Sequence, residues 1–167
     1  DHAAGLAELK RAAAKDVKFY ASAKDGAIVA AGGKGDPLLK GARFEYAPVR
    51  PDVMVKDGDT VSLGGWPLTA RITGGHTAGC TTWTFPVTVA GKVRQALDLR
   101  SASVLPGYKP GTTETYPGQT ADYRTNYADW RRPPGSALHA TPGKAHDLPT
   151  QKAAPGMPGR ADQRTSL

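Results

Sequence analysis

The residues most able to do chemistry in this 167-residue chain are its four histidines, its one cysteine, and the hydroxyls and carboxylates placed near them. His76 stands in Ile72-Thr73-Gly74-Gly75-His76-Thr77-Ala78-Gly79-Cys80, directly after a predicted strand. Glycines at 74, 75 and 79 let the backbone turn tightly and pass close to a ligand. The small neighbours leave room for a metal on one imidazole nitrogen. Asp1-His2 opens the chain in front of a helical pattern, and Asp and neutral His are ordinary zinc ligands. Ser101 and Ser103 lie two apart after a strand, so they share a face and can hold a carboxylate or a metal-bound water. Each feature also has a plain structural reading: a surface turn with an incidental His, a helix cap at Asp1, a polar loop. Cys80 sits near His76, but a lone cysteine is more often a small buried apolar residue than a nucleophile. The sequence has no G-x-S-x-G elbow and no glycine loop ending in Lys-Ser/Thr. That argues against a serine hydrolase of the common type and against a phosphate-cradling loop.

These residues need elements to hold them. Residues 3–15 are rich in strong helix formers, with Leu6, Leu9 and Ala13 on one stripe. Residues 17–22 read as a strand, and 27–31 as a short helix ended by Gly32-Gly33. Residues 35–51 are turn-rich. Two short strands, 53–56 and 60–63, flank Asp57-Gly58, a hairpin signal. Gly64-Gly65 breaks the run before a strand over 67–73. Residues 81–89 and 93–99 form a predicted hairpin around Ala90-Gly91-Lys92. Residues 101–117 read as loop. A second helix over 119–132 places Tyr123, Tyr127 and Trp130 on one side and stops at Pro133-Pro134. Helix, strands, hairpins and helix in this order predict an α/β layer fold with meandering antiparallel strands.

Composition narrows the class. With 39% hydrophobic and 22% charged residues, the chain can bury a core without a metal or disulfide for size alone. No run of 18 apolar residues occurs, so no membrane-spanning helix is expected, and no signal peptide is visible. One cysteine excludes an internal disulfide and leaves the redox compartment open. Residues 131–167 carry six Lys/Arg against two acids, hence +4 of the net +7. This segment has no aromatic residue for base stacking and no basic cluster beyond Arg131-Arg132. A solvated surface is therefore favoured over a nucleic-acid or membrane partner. The same segment holds six prolines and four glycines, too little apolar surface to offset the entropy of ordering. The expected organisation is a folded part over 1–132 and a Pro/Gly-rich disordered tail over 133–167.

Several motifs together resemble the third subclass of the metallo-β-lactamases. Asp1-His2-Ala3-Ala4-Gly5-Leu6-Ala7-Glu8-Leu9-Lys10 is similar to the end of that family's His-x-His-x-Asp-His motif and its following helix. Asp57-Gly58-Asp59 through Gly64-Gly65, and Gly75-His76-Thr77-Ala78-Gly79-Cys80-Thr81-Thr82-Trp83-Thr84, follow in order. Ser101-Ala102-Ser103-Val104-Leu105-Pro106-Gly107-Tyr108 and Tyr116-Pro117-Gly118 before Asp122-Tyr123-Arg124 continue the likeness, which spans roughly residues 1–132. The resemblance implies an α/β fold, the C-terminal portion of a four-layer αββα sandwich with two zinc ions at the sheet edge. It implies a small-molecule β-lactam substrate (carbapenem, cephalosporin or penicillin), opened by zinc-bound hydroxide, and a periplasmic or secreted location. Carried over by position, His76 completes the first zinc site, and Asp1 and His2 belong to the second. Asp1 also orients the hydroxide, and Ser101 and Ser103 meet water or the substrate carboxylate.

The chain departs from the family at three ligand positions. The His-x-His half of the motif is absent, since the chain begins at Asp1. His139 lies close to the last family ligand, but Thr141-Pro142-Gly143 occupies the His-Pro-Gly register. With three of six expected ligands in register, an N-terminally truncated fragment with poor activity on its own is expected, because a catalytic zinc takes three protein ligands. A thioester or lactone hydrolase on the same fold, and a non-catalytic remnant, are the alternatives. The sequence does not fix the oligomeric state.

Overall fold

The computed structural model describes residues 3–98, 103–104, 108–131 and 138–140. Its elements run α1 (Leu6–Ala12), β1 (Tyr20–Ser22), α2 (Ala23–Ala30), β2 (Val53–Val55), β3 (Thr60–Leu63), β4 (Trp66–Ile72), β5 (Thr81–Val89), β6 (Lys92–Asp98), α3 (Gln119–Arg131) and β7 (Leu138–Ala140). β1 and β2 form a parallel pair, and β3-β4-β5-β6-β7 form a second sheet in that order.

The hairpin expected across Asp57-Gly58 does not form. β2 pairs instead with β1, Tyr20 opposite Val53, and β3 pairs with β4, Leu63 opposite Trp66. The physical reason lies in where the Asp57-Gly58-Asp59 side chains and amides point. The Asp57 carboxylate accepts from Ile72 N at 2.9 Å, Asp59 accepts from Lys56 N at 2.8 Å, and Gly58 N donates to Ala70 O at 2.8 Å. This turn ties the end of β2 to β4 and sends the chain from one sheet to the other. The hairpin is Gly64-Gly65, with φ of 56° and 84°, the pair of positive angles that a two-residue loop of type I′ needs. The Ala90-Gly91 loop between β5 and β6 has φ of 50° and 74° and closes the expected hairpin.

Two other boundaries move. β1 begins at Tyr20 rather than at 17, since Val17 N closes a turn onto Ala14 O at 3.0 Å, and its last residue also serves the next element. Ser22 is the N-cap of α2, its hydroxyl accepting from Asp25 N at 3.4 Å. The helix therefore starts at Ala23, ahead of the expected 27. At the other end of the fold, β7 pairs in parallel with β6, Leu97 opposite His139. The sheet thus runs beyond the boundary expected at 132. The Pro/Gly-rich residues 141–167 lie outside the described residues.

Strand register places Val61, Leu68, Ala70, Trp83, Phe85 and Ala96 on one face of the large sheet. Thr60, Thr69 and Thr84 line the other, where the hydroxyls of Thr60 and Thr69 meet at 3.2 Å. Register also fixes one edge of the sheet as the place where loops converge. Asp98 at the end of β6 lies beside both Trp83 near the start of β5 and Ala140 at the end of β7. The His76 loop and the ends of β6 and β7 therefore share that edge.

Candidate functional site

The loop between β4 and β5 carries His76, and it is held from three directions. At its base Thr73 N donates to Cys80 O at 2.7 Å, and the Thr73 and Thr82 hydroxyls meet at 2.8 Å. Within it Gly75 N donates to Thr77 O at 3.1 Å. Gly75 has φ 148°, a value that disfavours any residue with a Cβ.

From one side comes α3. Gln119, wholly buried, donates from Nε2 to Gly75 O at 2.7 Å. Its Oε1 accepts from Thr115 N at 2.8 Å and from Thr115 Oγ1 at 3.2 Å. Asn126, also buried, donates from Nδ2 to Gly74 O. Burial, and the hydrogen bond that Tyr116 donates to Asp122 at 2.9 Å, keep the Tyr116 phenol well above its ordinary pKa. A Cβ on Gly74 would collide with this Tyr116–Asp122 pair. The start of α3 is itself fixed by Glu114, whose carboxylate accepts from Thr120 N at 2.9 Å and Gly118 N at 3.1 Å. Those bonds, the Thr120 side chain first, hold the Glu114 carboxyl below its usual range and set a negative charge at a helix N-terminus.

From the other side comes α2. Ser22 Oγ donates to Gly79 O at 2.6 Å, Gly79 N donates to Asp25 Oδ1 at 3.0 Å, and Thr77 Oγ1 donates to Asp25 Oδ2 at 2.6 Å. A Cβ on Gly79 would stand 2.5 Å from Asp25 N and 2.6 Å from Asp25 Oδ1. The buried Cys80 packs in this corner with Sγ 3.1 Å from Thr77 Oγ1.

His76 itself lies 3.2 Å from Ser103 Oγ through Nδ1. Ser103 is anchored in turn, because Tyr123 donates to its carbonyl at 2.8 Å. Tyr123 is buried between Tyr108 and Tyr127, with ring centroids 5.3 and 6.1 Å away. Burial first, then the neighbouring Tyr127 and Tyr108, push its pKa up to about 12. When Nδ1 of His76 donates to Ser103, its lone pair sits on Nε2, the tautomer a zinc ligand requires. The chemistry of this donor thus fits a metal, although His76 is one ligand and zinc needs more. Among the described residues no three His, Cys, Asp or Glu side chains converge.

The structure brings together two of the expected site residues, His76 and Ser103. Asp1, His2 and Ser101 lie outside the described residues. His139 is placed by its backbone only, in β7 beside Leu97. Of the residues that clamp the loop, Asp25, Gln119 and Asn126 have no site role in the sequence expectations, and Thr77 enters them only as a neighbour of His76 in its motif. Ser22-x-x-Asp25 could have signalled a helix start, but nothing local links Gln119 or Asn126 to a loop more than 40 residues away.

Comparison with known proteins adds an independent observation. No family model matches the chain. Its fold is similar to that of a β-lactamase from Chitinophaga pinensis, with 28% identity, a TM-score of 0.71, and 85% of this chain against 52% of that one. It is similar to the native FEZ-1 metallo-β-lactamase from Legionella gormanii at 36% identity, TM-score 0.68, over 77% of this chain and 48% of that one. BJP-1, a subclass B3 metallo-β-lactamase of Bradyrhizobium japonicum, shares 30% identity at TM-score 0.71, over 85% and 52%. The chain spans about half the length of these structures.

Proposed function

We propose, from the premise that this chain belongs structurally to the metallo-β-lactamases and carries about half of their fold, that it forms part of a zinc-dependent hydrolase opening the β-lactam ring. The observation that carries the reading is the His76–Ser103 contact of 3.2 Å in a loop fixed on both sides. It presents one imidazole in a defined orientation beside Ser103, at the sheet edge where β7 also ends. His76 would be a zinc ligand through Nε2, Ser103 the acceptor that turns its ring, and Asp1, His2 and His139 the candidates for further ligands. A bound zinc would supply a water nucleophile deprotonated near neutral pH. The chain's own residues then have three tasks. His76 holds the metal in place, Ser103 orients that ring, and Asp1 would take a proton from the attacking water or orient it. Ser103, by its exposed hydroxyl, would meet a substrate carboxylate, and Ser101 is the second candidate for that role. The proposed location is the periplasm or the cell exterior. Among the described residues no helix is long and apolar enough to cross a membrane.

The test is an assay of the longest reading frame that contains this chain on a carbapenem and on a thioester, with and without a chelator. Chelator-sensitive carbapenem turnover, lost in His76→Ala, supports the reading. Thioester turnover alone moves the substrate elsewhere within the same fold. Zinc retention that ignores His76→Ala removes His76 from the site. For the 167 residues alone, little or no turnover is expected, since a catalytic zinc takes three protein ligands.

A further inference from the structure

We infer that Asp25 is a positioning residue for His76: from the first turn of α2 its carboxylate spans the loop and fixes Thr77 and Gly79, the residues that set where His76 stands. The inference rests on the reading of His76 as a zinc ligand. Both carboxylate oxygens are engaged across the fold, Oδ2 by Thr77 Oγ1 at 2.6 Å and Oδ1 by Gly79 N at 3.0 Å. A carboxylate at this position in a capping box would turn back to the amide of its own N-cap. Here it faces the loop instead, and the N-cap Ser22 also reaches forward, donating to Gly79 O at 2.6 Å. The Gly79 peptide is therefore gripped at both its N–H and its C=O. Gly79 is also the residue whose missing Cβ makes this approach possible, with Asp25 N 2.5 Å from where a Cβ would be.

The geometry explains why one carboxylate suffices. The α3 side fixes the loop before His76, through Gly74 O and Gly75 O. Asp25 fixes it after His76. The imidazole sits between two anchored peptides, so its backbone has little freedom left, and Ser103 then selects the ring orientation. Hydrogen bonds to an ionised carboxylate are roughly twice as strong as neutral ones, and the N-terminus of α2 favours that charge. Asp25 touches no reacting atom. Its effect on chemistry would run through His76 alone.

The test uses the full 167-residue chain, with amide hydrogen exchange read residue by residue and zinc(II) affinity measured by competition with a chromophoric chelator. In Asp25→Ala the Gly79 amide is expected to exchange about tenfold faster or more, while the β4–β5 ladder amides stay within about twofold. Zinc affinity should weaken about tenfold, as when the support of a ligand is lost. Thr77→Val, nearly isosteric, should move both readouts the same way by less, and it carries the test should Asp25→Ala fail to fold. Asp25→Asn keeps an acceptor for Gly79 and should fall between wild type and Asp25→Ala. A merely structural role would lower global stability and speed exchange throughout the fold. Gly79 exchange within about twofold of wild type in both variants overturns the inference. So does a zinc affinity that falls in His76→Ala but holds in Asp25→Ala. A zinc affinity unmoved by His76→Ala refutes the ligand reading instead, and Gly79 exchange then decides the clamp by itself.

Discussion

Gln119→Glu separates hydrogen bonding from packing at the candidate site, because it changes one atom's role and almost no volume. Gln119 is wholly buried, and its Nε2 donates to Gly75 O at 2.7 Å while Oε1 accepts from Thr115. In the variant an oxygen replaces Nε2. Ionised, that oxygen would face a carbonyl with no proton between them, in a site without solvent. Protonated, the carboxyl restores the bond to Gly75 O. Burial and the carbonyl both disfavour the charged form, so the folded pKa of the new carboxyl rises well above its unfolded value of about 4.3. The sign follows: a raised folded pKa contributes stability below about pH 4 that is lost as pH rises. For a fully buried carboxyl a rise of roughly 3 units is reasonable, worth about 4 kcal/mol at pH 8. For a chain of this size that is a fall in Tm of about 8–16 °C. Near pH 4 the variant should melt within a few degrees of wild type. The assay is thermal unfolding of both proteins at pH 4 and pH 8, comparing differences so that other titrations cancel. An equal gap at the two pH values would refute the hydrogen-bond account of Gln119 and leave only its shape.

Four further outcomes follow from the same geometry. Gly79→Ala forces a Cβ against Ser22 and Asp25, so it should destabilise by about 1–3 kcal/mol in urea unfolding, as overpacking does. Glu114→Gln should lower Tm at pH 7 and converge with wild type at acid pH. The depressed Glu114 carboxyl contributes stability above its ordinary pKa that is lost as pH falls through its folded value. Tyr123→Phe deletes the donor to Ser103 O, at about 1 kcal/mol. It should also abolish a loss of stability between pH 10 and about 12 that the raised Tyr123 pKa produces in wild type, measured by alkaline unfolding. Ser103→Ala removes the acceptor at His76 Nδ1 and should weaken zinc binding about tenfold in chelator competition, the usual scale for a lost partner of a ligating histidine.

What could be read in the sequence follows the range of the interactions. The Ala90-Gly91 hairpin and α3 rest on local rules, turn chemistry and helix formers, and both form within a residue or two of expectation. Asp57-Gly58 misled because a strong local signal was overruled by a distant partner, the β4 residues Ala70 and Ile72. α2 began early because Ser22 ends a strand and caps a helix at once, a double use that periodicity over three residues cannot show. At the site, His76 was legible as a type of residue in a glycine loop. Its support was not. Asp25 and Gln119 are ordinary helix residues until the fold brings them to the loop from opposite sides, 54 and 44 positions away.

The same division bears on what half a fold can retain. Among the described residues, the backbone of the His76 loop is held by bonds within the loop and by Ser22, α2 and α3. The loop therefore has its own support. The large sheet does not: Trp66 is 50% and Leu63 71% exposed at one end of its apolar face, with Leu68 and Phe85 only part-covered beside them. In a sandwich such a face meets a second sheet about 10 Å away, and exposed apolar patches of this kind promote association. Global stability and site geometry thus draw on different contacts. A longer chain that covers the sheet should raise Tm without changing the exchange of the Gly79 amide relative to its neighbours. If covering the sheet also slowed Gly79 selectively, the loop would depend on the sheet face rather than on the carboxylate of Asp25 and the carboxamide of Gln119.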